Sequence, residues 1–139
     1  MNNFIFENST KVFFGKGCVK EYLSCWAGKF GERVLLAYGG CSIKKNGIYE
    51  EVTSILEKAG KTVIEFSGIM ANPTYEKVLE GAKIARENEV DWILGIGGGS
   101  VMDCCKAVSL AAISKKDIWK EYWAKPGIID FEPLPLGVI

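Results

Sequence analysis

The residues with the clearest chemical meaning are three consecutive glycines, Gly97, Gly98 and Gly99, followed by Ser100. An apolar run, Ile93–Ile96, precedes them and a stretch with helical spacing follows, which predicts a buried strand, a glycine turn and a helix start. Such a turn presents bare backbone N–H groups and a helix N-terminus at one point, and together these bind an anion such as a phosphate. Because glycine has no Cβ, a ligand can approach this main chain closely.

The sequence leaves two interpretations of the turn open. The spacing is not G-x-G-x-x-G, because Ser100 stands where the third glycine belongs, and no Gly-Lys-Ser/Thr follows as in a P-loop. The turn either binds phosphate or only lets helix and strand pack closely. Ser100 at the predicted N-cap and Asp103 form a variant of the capping box. Asp103 would repel a pyrophosphate, so it either caps the helix or faces a neutral donor of the ligand.

A second loop follows the first apolar strand and contains Gly39, Gly40, Ser42 and two lysines, Lys44 and Lys45. It lies at the carboxyl end of that strand, where doubly wound folds bind nucleotides. Small residues, a hydroxyl and two cations can accept an extra phosphate, and the loop has no carboxylate to hold a bare ribose 2′-hydroxyl. An ordinary turn with solvated lysines is the alternative.

The elements that must position these loops alternate between strand and helix. Apolar and β-branched runs predict strands at residues 33–38, 62–66 and 92–96. Helical spacing predicts helices within residues 17–30, 48–59, 74–85 and 101–112, with Asn72 or Thr74 as the cap of the third. Strands that recur about every thirty residues with helices between them indicate βαβ units and a parallel sheet. Residues 3–7 and 10–14 are predicted to pair as an N-terminal hairpin, and residues 117–123 to form a short aromatic helix or turn.

Composition restricts the class of protein. The chain has 139 residues, enough for one domain, and a net charge of zero, which gives no support for nucleic acid as a partner. No apolar run is long enough to span a membrane, and the N-terminus lacks a secretory pattern. The five cysteines are odd in number and there is no histidine, which argues against a disulfide framework or a zinc finger. We therefore expect reduced thiols in a cytoplasmic protein. The apolar run at residues 133–139 is strand-like and stops abruptly, so we expect the N-terminal part of a longer protein.

Four segments together resemble the iron-containing (group III) alcohol dehydrogenases, most closely the butanol dehydrogenase branch. They are residues 10–17, 38–47, 71–74 and 97–107. They occur in the family's order across nearly the whole chain, and the string Gly-Gly-Gly-Ser-x-x-Asp-x-x-Lys-Ala is a specific signal. Cys41 replaces a glycine that is frequent in the family.

The resemblance implies a Rossmann-like dinucleotide-binding domain over residues 1–139, similar to the N-terminal domain of dehydroquinate synthase. In such enzymes the Gly-Gly-Gly-Ser loop holds the pyrophosphate, the following aspartate lies by the nicotinamide, and the first-strand loop reads the adenosine ribose. The cofactor-binding residues it implies are Gly39, Gly40, Ser42, Asn72, Gly97, Gly98, Gly99, Ser100 and Asp103. The Gly-Gly-x-Ser form of the first-strand loop favours NADP(H) over NAD(H).

The family binds Fe²⁺ or Zn²⁺ through one aspartate and three histidines of a later, all-helical domain. Because this chain has no histidine, the resemblance places that domain beyond Ile139 and assigns no metal ligand or catalytic residue here. It implies hydride transfer between a small alcohol or aldehyde and the nicotinamide, in a homo-oligomeric full-length enzyme, with this half inactive alone. A polyol dehydrogenase or dehydroquinate synthase of the same fold, or a stand-alone nucleotide-binding module, remains an alternative.

Overall fold

A computed structural model describes residues 8–124 and 129–139 of the chain. The strands are β1 (Arg33–Tyr38), β2 (Thr62–Phe66), β3 (Trp92–Ile96) and β4 (Leu136–Val138). The helices are α1 (Cys18–Ala27), α2 (Ser42–Lys45), α3 (Ile48–Lys58), α4 (Tyr75–Glu87) and α5 (Gly99–Ile113), and a π-helical turn spans Trp119–Trp123. The three strands predicted from apolar runs are confirmed with the same bounds.

The four strands form one parallel sheet in the order β2-β1-β3-β4. In its register, Val34 of β1 lies opposite Val63 of β2 and Trp92 of β3, and Leu94 lies opposite Gly137 of β4. All of β3 and nearly all of β1 is buried, as continuous apolar strands of a parallel sheet are when helices cover both faces. The predicted Rossmann-like α/β class is confirmed.

Alternate side chains of the strands enter two cores, one on each face of the sheet. Val34 and Leu36 of β1 pack in a cluster with α1 and α3, whereas Leu35 and Ala37 pack in a cluster with α4 and α5. The sheet is therefore the middle of three layers, and the carboxyl ends of β1 and β3 lie side by side at one edge of it.

Two helix ends show how local sequence fixes the elements. At the end of α3, Gly60 adopts a φ of 73°, and the N–H of Lys61 donates to the carbonyl of Leu56 at 2.9 Å, as in a Schellman motif. At the start of α4, the Thr74 hydroxyl accepts from the N–H of Lys77 at 3.3 Å. Of the two predicted caps, Thr74 is the one observed.

Outside the sheet, two predicted helices are confirmed and the predicted N-terminal hairpin is not. The helix predicted within residues 17–30 and the aromatic helix near residue 120 are both present. The first arm of the predicted hairpin lies outside the described residues, and residues 10–14 are not part of a strand. Among the described helices, none has the length and apolar character needed to cross a membrane.

Candidate functional site

The glycine turn joins the carboxyl end of β3 to the start of α5, as predicted. Gly97 adopts a φ of 152°, Gly98 is the N-cap, and α5 begins at Gly99. The N–H of Gly97 donates to the carbonyl of Ile139 at 3.0 Å, which ties the turn to the chain after β4. The turn therefore has a fixed path at the edge of the sheet.

Close packing explains the glycine at position 97. A Cβ at Gly97 would lie 2.7 Å from Cγ2 of Val101, and its φ is one that residues with side chains rarely adopt. Gly95 of β3 plays a similar part, because a Cβ there would lie 3.0 Å from Sγ of Cys105. These two glycines allow α5 to approach β3, so the packing interpretation of the turn holds for Gly97.

Packing does not explain Gly98 and Gly99. In the described part of the chain, no heavy atom other than those of chain neighbours and the helix's own backbone lies within 4 Å of a Cβ placed on either residue. Gly98 has a φ of −79° and a ψ of −166°, which any residue can adopt, and Gly99 is helical. Both are exposed. Glycine at these positions therefore leaves open space beside the backbone that the fold itself does not use.

That open space lies where a helix presents its unpaired amides. Within the described residues, the N–H groups of Gly98, Gly99 and Ser100 have no hydrogen-bond acceptor. The first N–H groups of a helix have no partner within it, and they carry the positive end of the helix dipole. The turn can therefore bind an anionic group directly with its main chain.

The structure corrects the prediction that Ser100 is the N-cap. Gly98 occupies that position without a side-chain cap, and Ser100 is the second residue of α5. The reason is that Gly98 is already extended, so the change to helical backbone occurs before Ser100 is reached. The Ser100 hydroxyl instead accepts from the N–H of Asn72 at 3.4 Å, and Asn72 adopts a left-handed φ of 52°. Two residues predicted to bind the cofactor are thus in contact.

Asp103 does not cap the helix either, so that alternative is wrong. Because α5 begins at Gly99, Asp103 is the fifth residue of the helix rather than part of its first turn. Its carboxylate lies 3.2 Å from the ammonium of Lys106, and the two side chains are 70% and 66% exposed. The carboxylate is therefore open to solvent, and its contact with a ligand stays a prediction.

The first-strand loop lies next to the glycine turn, because Tyr38 at the end of β1 is opposite Ile96 at the end of β3. Gly39 packs closely: a Cβ there would lie 3.0 Å from the carbonyl oxygen of Ile69. Gly40 faces open space, like Gly98. Ser42 begins α2.

An open groove of about 550 Å³ connects the two loops. Ser42 lines it on the α2 side and Gly97 on the β3 side, and apolar side chains such as Ile43 and Ile96 lie between them. Asn46 and Glu51 add polar groups. Of the predicted binding residues, only Ser42 and Gly97 line this groove. The others lie outside its lining: Gly39, Gly40, Asn72, Gly98, Gly99, Ser100 and Asp103.

Beside the first-strand loop lies a polar cluster that the sequence reasoning missed. We call Tyr38, Lys44, Tyr49 and Glu65 the Glu65 cluster. Tyr38 donates a 2.5 Å hydrogen bond to Oε2 of Glu65, Tyr49 donates to Oε1, and the Lys44 ammonium lies 3.7 Å from Oε2. The Lys44 ammonium also lies 4.4 Å from the centre of the Tyr49 ring. The sequence signal for it was a charged residue within a strand of β-branched and aromatic residues.

The hydrogen bonds of the cluster shift the ionisation of its members. The Tyr38 and Tyr49 hydroxyls lower the pKa of Glu65 below its usual value. The hydrogen bond to Glu65, together with partial burial, raises the pKa of Tyr49 to about 12. At neutral pH the cluster therefore contains an anionic Glu65, a cationic Lys44 and two neutral tyrosines.

The described residues do not fit a metal site. Among them, no three side chains of His, Cys, Asp or Glu lie together as metal ligands would, and the sequence contains no histidine. Burial raises the pKa of the Cys105 thiol to about 12, which makes it a poor ligand or nucleophile at neutral pH. The described residues at this edge of the sheet therefore offer main-chain amides and polar side chains that can bind a ligand.

The chain is similar to known proteins over almost its whole length. The model of the iron-containing alcohol dehydrogenase family matches residues 9–139. The chain is 41% identical over 139 residues to the probable NADH-dependent butanol dehydrogenase 2 of Bacillus subtilis, covering all of this chain and 35% of that protein. It is 41% identical over 115 residues to the NADPH-dependent aldehyde reductase YqhD of Escherichia coli, covering 81% of this chain and 28% of that protein.

Solved structures show the same relationship. The NADH-dependent butanol dehydrogenase A of Thermotoga maritima superposes with a TM-score of 0.86 at 39% identity, over 99% of this chain and 34% of that chain. This chain thus spans about a third of the length of the relatives it matches.

Proposed function

This chain belongs to the iron-containing alcohol dehydrogenase family, and from that premise we propose that it is the dinucleotide-binding part of a longer, metal-dependent alcohol dehydrogenase. The observation that carries the proposal is the open space beside Gly98 and Gly99. Neither residue needs to be glycine for the fold, and both lie at the unpaired amides of a helix N-terminus. A pyrophosphate close to the main chain accounts for both facts.

Each predicted residue takes a role in this proposal. The amides of Gly98, Gly99 and Ser100 bind the pyrophosphate, and Asn72 holds the Ser100 hydroxyl in place through its backbone N–H. Gly97 sets the path of the turn. Gly39, Gly40 and Ser42 of the first-strand loop receive the adenosine ribose, and Asp103 lies towards the nicotinamide.

The chemistry of the whole enzyme is hydride transfer, which the bound nicotinamide supplies. The substrate class is a small alcohol or aldehyde, in line with the butanol dehydrogenases and the aldehyde reductase among the relatives. Because no three side chains of His, Cys, Asp or Glu lie together among the described residues, we propose that Fe²⁺ or Zn²⁺ is bound by a helical domain beyond residue 139. The domain over residues 1–139, by contrast, orients the cofactor.

NADP(H) is the cofactor we propose, because Gly40 leaves open space in the first-strand loop and Ser42 offers a hydroxyl. The relatives include both NADH- and NADPH-dependent enzymes, so their names do not favour either cofactor. A homo-oligomeric full-length enzyme in the cytoplasm remains a prediction from the sequence.

Calorimetric titration of NADPH and NADH into this chain tests the proposal. We expect one dinucleotide per chain, and binding that inorganic pyrophosphate inhibits because it competes for the amides of the glycine turn. We also expect no oxidation of butanol or reduction of butanal when either dinucleotide and Fe²⁺ or Zn²⁺ are added. A folded chain that binds neither dinucleotide contradicts the proposed function. Turnover by a homogeneous preparation contradicts the assignment of the metal to another domain.

A further inference from the structure

The Glu65 cluster places two charges directly beside the first-strand loop. Tyr38 is the residue before Gly39, and its hydroxyl donates to Glu65. Lys44 lies on α2, and its backbone N–H donates to the carbonyl of Cys41 at 3.1 Å, within the same loop. The cluster thus includes the residue just before the loop, Tyr38, and a residue just after it, Lys44.

Within the cluster, Glu65 and Lys44 offset each other. Tyr38 and Tyr49 hold both oxygens of the Glu65 carboxylate, which fixes the anion in one position. Lys44 lies 3.7 Å from that carboxylate and over the Tyr49 ring. Lys45, the next residue, has no ion pair within the described part of the chain. Of the two lysines expected to attract an extra phosphate, one is therefore neutralised by a carboxylate from β2.

We propose that Glu65 is a specificity-determining residue that weakens the attraction of the first-strand loop for a 2′-phosphate by neutralising Lys44. This inference rests on the proposed function, because it concerns the adenosine end of the same site. The two dinucleotides differ there by one phosphate group, which is anionic, so a change of one unit of charge in the cluster alters the affinity for NADPH more than that for NADH. The net charge of the cluster, rather than a direct bond from Lys44, sets the ratio of the two affinities.

Four forms of this chain separate charge from direct contact: the unchanged chain, Glu65→Gln, Lys44→Met and the double variant. The net charge of their clusters is zero, +1, −1 and zero. We expect Glu65→Gln to bind NADPH about fivefold more tightly and Lys44→Met to bind it about fivefold more weakly, with NADH affinity nearly constant. The double variant should bind both dinucleotides as the unchanged chain does. These differences should shrink at about 1 M salt, where surface charges are screened within a few ångströms.

Glu80→Gln is the matched control. Glu80 is an exposed carboxylate paired with Lys77 at 3.0 Å on α4, on the opposite face of the sheet, and its replacement should leave the affinity ratio unchanged. A double variant that binds NADPH as weakly as Lys44→Met overturns the inference in favour of a direct bond. An unchanged ratio in Lys44→Met also overturns the inference, because removing one unit of charge from the cluster then has no effect. This outcome is informative even if Glu65→Gln fails to fold. If the unchanged chain is folded and binds neither dinucleotide, both the proposed function and this inference fail. If all four forms bind dinucleotide with the same ratio of NADPH to NADH affinity, the inference alone is refuted.

Discussion

Replacing Gly98 or Gly99 by alanine separates a ligand-binding turn from a packing turn. A Cβ at either position meets no described atom within 4 Å, apart from chain neighbours and the helix's own backbone, and neither backbone conformation requires glycine. At Gly99, in the first turn of α5, alanine should stabilise the fold by about 0.4–1 kcal/mol because it restricts the unfolded chain. At Gly98 this gain is opposed by the poorer capping of alanine, so we expect a change within about 0.5 kcal/mol.

The effect on binding should be far larger than the effect on stability. A hydrogen bond from a backbone amide to a charged phosphate contributes about 1.5–3 kcal/mol, and a methyl group beside the amide displaces the phosphate from it. Loss of one such bond corresponds to an affinity about tenfold to a hundredfold lower. Each variant should therefore retain or nearly retain its free energy of unfolding while losing most of its affinity.

Calorimetric titration with NADPH and NADH measures the affinity, and urea denaturation followed by circular dichroism measures the stability. Gly97→Ala is the opposite control: its Cβ would lie 2.7 Å from Val101 Cγ2, so it should destabilise the fold. Gly28→Ala, at the end of α1 and away from the groove, should alter neither quantity strongly. Unchanged affinity in stable Gly98→Ala and Gly99→Ala variants would refute the reasoning, because the open space would then have no ligand.

Two further predictions concern ionisable side chains. Cys25 and Cys41 are exposed and should react readily with a thiol reagent at pH 8, whereas Cys105 is buried, has a pKa raised to about 12 and should react only on unfolding. Bound dinucleotide should slow the reaction of Cys41, which lies in the first-strand loop, but not that of Cys25. Equal slowing of both cysteines would mean that the ligand does not bind at this loop. Because the pKa of Tyr49 is raised from 10.0 to about 12, its contribution to stability is present below pH 10 and is lost between pH 10 and 12. Urea denaturation from pH 10 to pH 12 should show that the free energy of unfolding falls less in Tyr49→Phe than in the unchanged chain. An identical fall in both proteins would contradict the role of the hydrogen bond to Glu65.

The two central strands, β1 and β3, could be predicted from the sequence because they are buried along most of their length. A buried parallel strand gives a continuous apolar run, and glycines or polar residues follow it where the chain leaves the sheet. This is why residues 33–38 and 92–96 were predicted with the observed bounds. The strand order could not be obtained in this way, because the apolar pattern of residues 136–138 does not say that they pair with β3.

The candidate site was predictable only as far as the local sequence determines it. Serine is a favoured N-cap, so local preference placed the start of α5 at Ser100. The extended backbone of Gly98 moves that start two residues earlier, and the Ser100 hydroxyl then contacts Asn72 on another loop. Backbone geometry of this kind depends on the Gly97–Ile139 hydrogen bond and the close packing of Val101, neither of which sequence spacing reveals.

The charge near the first-strand loop could not be predicted from local sequence either, because Glu65 comes from another strand. Judged by sequence alone, the first-strand loop contains two lysines and no carboxylate, which favours an extra phosphate. The parallel register between β1 and β2 sets Glu65 opposite Leu36, two residues before Tyr38, and so brings a carboxylate to this loop from a different strand. A carboxylate supplied by a neighbouring strand thus changes the charge beside the loop. The proposed role of Glu65 makes cofactor preference depend on the pairing of β1 and β2, and we expect substitutions at Glu65 to alter that preference without any change to the loop itself.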